Sequence, residues 1–212
     1  MTSSLSKENH LLERFGVTVC RNVDQPGVGI DVGYLVDFSQ MPVCTPDQQR
    51  IEAVLQSRDL TNRDLLHVGI GNSHLAMRLS PRCRLIDGIT VAEAERQRGR
   101  ATGLANYRAL KANKYAVSLA AILNRHYDHI IDNNLASFAC CGFHLMLMMS
   151  SYRLMLRHGG SILTDRQGME WTVSDPRWKL TEPDLGALAN ALGLKLSKTT
   201  EWVYELTRPV ES

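Results

Sequence analysis

Two glycines stand immediately after a short apolar run, in His67-Val68-Gly69-Ile70-Gly71-Asn72-Ser73-His74. Glycine lets a backbone turn sharply out of a strand and lets a ligand approach the main chain closely. In a dinucleotide-binding fingerprint a third glycine would occupy the place of His74 and allow the helix to pack over a pyrophosphate. A histidine there argues against NAD or FAD. Sixteen residues after Gly71 comes Asp87, at the end of the next apolar run. A carboxylate in that place can accept hydrogen bonds from both ribose hydroxyls of an adenosine. Both signals have plainer explanations: any tight strand-to-helix turn needs such glycines, and Asp87-Gly88 is an ordinary turn pair.

Other chemistry-bearing residues cluster further along. The apolar stretch Tyr127–Ile131 runs into Asp132-Asn133-Asn134, which suggests a polar pocket wall or a turn that caps the next helix. His144, in the otherwise apolar stretch Phe138–Met149, is the first candidate for a general base; a buried neutral imidazole is the competing explanation. His67 and His74 flank the glycine turn and are candidates for ligand contact. Cys140, Cys141 and His144 invite a metal reading, with positions 140 and 144 on one helix face, but a zinc site needs further ligands at a suitable spacing, and none is evident. No metal is expected, and the cysteines are read as small apolar core residues. Met146, Met148 and Met149 are read as core filling, and Trp171 and Trp178 as part of an acceptor pocket or as anchors of their loop.

The elements that must position these residues alternate strand and helix. Strands are expected at Phe15–Cys20, Gly33–Phe38, Leu65–Val68, Cys83–Asp87, Asn106–Leu110, Tyr127–Asp132 and Ser161–Asp165. Helices are expected from Thr45, with Pro46 in the first turn, and over Ser73–Leu79, Thr90–Arg100, Val117–His126 and Gly142–Arg157, the last stopped by Gly159-Gly160. A further helix from Thr181 ends near Gly193, and two closely connected strands, Lys195–Thr199 and Trp202–Thr207, must pair antiparallel. This pattern implies an α/β fold: a Rossmann-like, doubly wound sheet, mostly parallel, with a C-terminal antiparallel pair. Ligands of such sheets bind beyond the carboxyl ends of the strands. Those ends are Gly69–Ser73, Asp87–Ile89, Lys111–Asn113, Asp132–Ser137 and Asp165–Gln167.

Composition narrows the function. The 212 residues carry 24 basic and 22 acidic side chains, and the densest charged stretch, Glu93–Arg100, mixes signs as a solvated helix end does. With no basic stripe, no nucleic-acid partner is expected. The five cysteines form no CxxC pair, the N-terminus lacks the apolar run of a signal peptide, and the most apolar window, about 135–149, is too short to span a bilayer. A cytoplasmic protein without membrane partners is expected. The length suits one domain, 64–212, with an N-terminal extension, 1–63, that covers an acceptor site; a homodimer is left open.

Taken as an ordered set over about 64–208, these segments resemble the class I S-adenosylmethionine-dependent methyltransferase family. Leu66–Ser73 is similar to that family's first motif and Leu85–Ile89 to its second. Tyr127–Asn134 is similar to its fourth strand and active-site end, and Leu156–Leu163 to the approach to its fifth strand. Two positions depart from the pattern: Ser73 stands where a third glycine is frequent, and Asn113 stands where an acidic residue often follows the third strand. The resemblance implies S-adenosylmethionine as cofactor, held by Gly69, Ile70, Gly71, Ser73, Asp87, Gly88, Ile89, Asn113, Asp132 and Asn133, with His144 and Asn133 as catalytic candidates. The reaction so implied is O- or N-methylation of a metabolite, sugar or natural-product scaffold. Two alternatives stay open: another use of the same cofactor, as an aminocarboxypropyl transferase, cyclase or lyase, and a non-catalytic partner subunit. A nicotinamide-dependent reductase is the poorer reading.

Overall fold

The computed structural model describes residues 37–170 and 176–210. The strand expected at Phe15–Cys20 and the side chain of Trp171 lie outside the described residues. So does all of Gly33–Phe38 except its last two residues, which carry no strand.

Seven strands form one sheet: β1 (Asp64–Val68), β2 (Leu85–Thr90), β3 (Tyr107–Lys111), β4 (Tyr127–Ile131), β5 (Leu156–Asp165), β6 (Lys195–Lys198) and β7 (Val203–Thr207). Their spatial order is β3-β2-β1-β4-β5-β7-β6. The first five run parallel, and β7 enters antiparallel between β5 and β6. The chain order reverses between β1 and β4, so a crevice opens where the loops after these strands diverge.

Successive side chains of a strand face opposite ways, and the apolar runs of the parallel strands therefore supply both faces. Leu66, Ile130 and Ile162 point into one core, with Leu119 and Leu123 of α4 (Leu119–Leu123), Leu145, Met148, Met149 and Tyr152 of α5 (Gly142–Met155) and Leu185 of α7 (Glu182–Ala191), which follows the single turn α6 (Arg166–Met169). Leu65, Ile86, Ile131 and Leu163 point into the other, with Ile51 and Leu55 of α1 (Pro46–Gln56) and Leu75 and Leu79 of α2 (His74–Leu79). Helix α3 (Glu93–Ala101) lies against β3, where Gly99 permits close approach: a Cβ there would stand 2.6 Å from that of Ala109.

Local signals place the helix starts. Pro46 opens α1, and Thr181 and Asp184 form a capping box at the start of α7. Two expectations change. Helix α5 ends at Met155, not at the glycine pair; Gly159-Gly160 lies inside β5, where its pairing with β4 shifts register between Tyr127 and His129. A Cβ at Gly160 would lie 2.9 Å from the carbonyl of Asp128, so close strand contact rather than helix capping selects that glycine. Strand β2 begins at Leu85 and continues to Thr90, three residues past the expected end at Asp87.

Candidate functional site

A cavity of about 380 Å³ opens at the carboxyl ends of the parallel strands. Gly69 and Gly71 after β1, Ile89 and Thr90 at the end of β2, Asn113 and Lys114 after β3, and Asp132 to Asn134 after β4 all line it. Phe38 to Gln48, at the start of α1 and before it, closes one side.

The glycine turn has the expected conformation. Gly69 and Gly71 have φ of +74° and +49°, in the left-handed region that favours glycine. A Cβ on Gly69 would meet no atom within 4 Å, so this turn faces open space. Ser73 also has positive φ, at +63°, which is why a glycine suits that position. Its fully buried hydroxyl lies 3.2 Å from that of Tyr107.

Six of the expected contact residues come together in the wall: Gly69, Gly71, Ile89, Asn113, Asp132 and Asn133. Ile70, Ser73, Asp87 and Gly88 do not line it. Ile70 is fully buried in the core beside α2. A Cβ on Gly88 would stand 2.6 Å from Ile70 Cγ2, so that glycine serves internal packing. Asp87 requires the clearest correction. Because β2 runs on to Thr90, Asp87 lies in mid-strand opposite Leu66, and its 0% exposed carboxylate is enclosed by the sheet. It accepts hydrogen bonds from Arg108 Nε and Nη2, both at 2.6 Å, and from the Tyr127 hydroxyl at 2.7 Å.

Thr90 ends β2, and Glu95 of α3 stands beside it. The Thr90 hydroxyl donates to Glu95 Oε2 at 2.6 Å, and the Phe38 N–H donates to Glu95 Oε1 at 3.1 Å. Each carboxylate oxygen keeps lone-pair capacity for a further donor. Glu95 escaped notice in the sequence because it falls in the mixed-charge stretch Glu93–Arg100. The missed signal is strand register: Val68, the last residue of β1, pairs with Ile89, so the residue after Ile89 is the one that emerges beside the glycine turn.

Lys114 is the second missed residue. Its ammonium contacts Asp132 at 3.0 and 3.2 Å and donates to the Asn134 carbonyl at 2.9 Å. Burial pushes Lys114 below its ordinary value while Asp132 pulls it back up. Tyr152 donates to Asp132 at 2.9 Å, and burial, reinforced by Asp132, holds that phenol well above its ordinary value. The pair thus pins the loop after β3 to the end of β4.

Two amides in the wall have one unpaired atom each. The Tyr115 N–H donates to Asn113 Oδ1 at 2.9 Å, which leaves buried Asn113 Nδ2 without a protein acceptor among the described residues. Asn133 Nδ2 donates to Asp47 Oδ2 at 3.0 Å, which leaves buried Asn133 Oδ1 without a donor among the described residues. Unpaired buried polar atoms are rare and costly, and in a cavity wall they are open to a ligand or an ordered water.

His144 is not in the wall. It is 1% exposed on α5, and its Nδ1 lies 3.1 Å from Cys140 Sγ and 3.3 Å from Cys141 Sγ, so the expected general-base role is corrected. His67 is likewise buried inside β1. His74 Nδ1 lies 3.2 Å from Asn72 Nδ2, outside the cavity wall. Trp178 Nε1 donates to the Ala139 carbonyl at 3.2 Å and its ring packs 4.8 Å from that of Phe138, so this tryptophan braces the segment between β4 and α5.

The sequence matches no protein-family model and no curated protein. Solved structures do match. The N-methyltransferase NodS from Bradyrhizobium japonicum WM9 superposes with a TM-score of 0.60 at 14% identity, over 78% of this chain and 98% of NodS. The fold is that of the class I methyltransferases. The amino pentose methyltransferase CalS10 from Micromonospora echinaspora, solved with bound S-adenosylmethionine, gives 0.57 at 12% identity, over 76% of this chain and 89% of CalS10. The [4+2]-cyclase SpnF gives 0.59 at 14%, over 76% and 81%. Among the described residues no helix is long and apolar enough to cross a membrane.

Proposed function

We propose that this protein is an S-adenosylmethionine-dependent methyltransferase acting on a small molecule. The observation that carries this reading is the cavity at the topological switch point, with an open glycine turn on one side and two half-satisfied asparagine amides in its wall. NodS has been solved with S-adenosylhomocysteine and CalS10 with S-adenosylmethionine, which supports the same class of cofactor here.

The residues present fit that cofactor. Gly69 and Gly71 leave room beside the main chain for its amino-acid portion. Glu95, buttressed by Thr90, accepts the ribose hydroxyls in place of the carboxylate first expected at Asp87. Asn113 Nδ2 donates to an acceptor nitrogen of the adenine, and Ile89 and Ala112 give the ring an apolar seat. Bound there, the cofactor supplies a methyl group on an already activated sulfonium, so alignment of the acceptor supplies much of the rate.

The chain's own part is to place the acceptor and exclude water. Asn133 Oδ1 takes a hydrogen bond from the acceptor's N–H or O–H, and Asp47 fixes that amide by accepting from its Nδ2. Where the acceptor must lose a proton, Asp47 is the carboxylate beside Asn133 that receives it. Within the N-terminal extension, the segment from Phe38 to Gln48 covers the acceptor.

The test is product analysis with S-adenosylmethionine and a panel of small amines and alcohols. Accumulation of S-adenosylhomocysteine with a methylated product supports the reading. Methylthioadenosine would indicate aminocarboxypropyl transfer instead. Cofactor binding with neither product would move the cyclase reading forward, which likeness to SpnF favours. No binding would favour a partner subunit.

A further inference from the structure

We propose that Cys140, Cys141 and His144 hold one zinc ion at the amino end of α5. This site is separate from the cavity wall and stands whether or not the methyltransferase reading holds.

The three ligand atoms converge: all lie within 4.8 Å of one another. The two sulfurs are 3.8 Å apart, and His144 Nδ1 lies 3.1 and 3.3 Å from them. Tetrahedral zinc, with Zn–S bonds of about 2.3 Å and Zn–N bonds of about 2.0 Å, places two sulfurs about 3.8 Å apart and sulfur and nitrogen about 3.5 Å apart. The sulfur pair already has that spacing, and the imidazole needs to withdraw by only a few tenths of an ångström.

A cation placed between the three groups would meet all three ligand atoms at once. The local field favours the required thiolates: Cys141 is the N-cap of a helix that runs for 14 residues, whose positive end stabilises sulfur anions. Two thiolates then neutralise a divalent ion. Cys140 is only half-buried, which leaves a way in for the metal.

The described residues supply three of the four tetrahedral corners. Cysteine and imidazole select a soft, thiophilic ion over magnesium or calcium. The sequence pointed to this triad but argued against a metal there, because adjacent cysteines give no familiar ligand spacing and no fourth ligand is evident. Only the turn into α5 brings both sulfurs onto His144. Bound zinc would tie the segment from β4 to α5 to the helix. Ser137 and Phe138 of that segment line the cavity, so the ion acts as a clamp on the cavity wall.

The experiment uses the full chain, reduced and stripped with a chelator, titrated with cobalt(II) and then with zinc(II). The expected result is thiolate-to-cobalt charge-transfer absorption and intense tetrahedral bands that saturate at one equivalent, then disappear as zinc displaces cobalt. Cys140→Ser should lose much of the charge-transfer intensity and weaken zinc binding by at least the roughly tenfold seen when even an outer-sphere partner is lost. His144→Asn should keep the thiolate bands and weaken binding similarly. Cys83→Ser, a thiol remote from the triad, should bind as the parent does. Absence of the charge-transfer bands in the parent protein would overturn the proposal without any variant. Bands undiminished in the Cys140→Ser, Cys141→Ser double variant would overturn it equally. S-adenosylmethionine binding, measured separately, would be unaffected by either of these failures.

Discussion

Arg108 grips Asp87 from the neighbouring strand: the two residues are direct register partners in β2 and β3, and two guanidinium nitrogens each lie 2.6 Å from a carboxylate oxygen. Arg125 Nε stands 3.8 Å from the same carboxylate. Asp87 is thus a strut of the sheet. Removing one partner of a buried ion pair leaves the other uncompensated. Because Arg108 keeps 41% of its side chain exposed, the loss falls at the lower end, and Asp87→Asn should destabilise by about 3 kcal/mol. Urea denaturation checks the stability, and titration of the folded fraction should show cofactor affinity within about twofold of the parent.

Glu95 has the opposite profile. Its carboxylate reaches the cavity wall through Thr90 at the end of β2. A hydrogen bond to a charged group contributes about 1.5–3 kcal/mol. Glu95→Gln should therefore weaken S-adenosylmethionine binding by about 10- to 100-fold, measured by calorimetry. Thr90→Val, which removes the buttress and the acceptor of the Ala92 N–H but leaves the Glu95 carboxylate, should weaken it less.

Asn113 presents a donor that has no protein acceptor among the described residues. Truncation then removes a buried unsatisfied group and a ligand contact together. Asn113→Ala should cost about 1 kcal/mol of stability, because the Tyr115 N–H loses its acceptor, and reduce cofactor affinity about tenfold. A large loss of stability with unchanged affinity would show that Asn113 serves the loop rather than the ligand.

Two histidines set an acid limit on the fold. Burial holds His67 and His129 down at about 4, against 6.5 in the unfolded chain, with Arg58 adding to the effect at His129. Between pH 6.5 and about 4 the unfolded chain binds protons that the folded chain refuses, so stability falls as pH falls through that window. Each imidazole contributes a slope of about 1.4 kcal/mol per pH unit. Glu205 adds a later loss. Paired with Arg58, it is held at about 2 against an ordinary 4.5, so its contribution is full above 4.5 and disappears as pH falls toward 2. Chemical denaturation from pH 7 to 4.5 should show the first slope, and His129→Asn should reduce it by about half.

The sheet was legible because its apolar runs are short, evenly spaced and punctuated by turn residues. Boundaries were less so, and one boundary mattered for chemistry. Leu85-Ile86-Asp87-Gly88 looks like a strand ending in an Asp-Gly turn, yet Gly88 is held inside the strand by packing against Ile70 and Tyr107, and the chain emerges only at Thr90. The same physics hid Glu95 and Lys114. Charged residues in polar stretches look solvent-facing until tertiary contacts bury them. Lys114 is 10% exposed because Asp132, 18 positions away, neutralises it.

Isothermal titration of the purified protein with S-adenosylmethionine, S-adenosylhomocysteine and NADH, repeated on Glu95→Gln and on Asp87→Asn, tests whether the cavity beside Glu95 holds the cofactor. Both adenosyl ligands, and not NADH, should bind saturably, with binding weakened in Glu95→Gln and retained in folded Asp87→Asn. Failure of both adenosyl ligands to bind the parent protein would contradict that assignment, as would binding lost in Asp87→Asn and intact in Glu95→Gln.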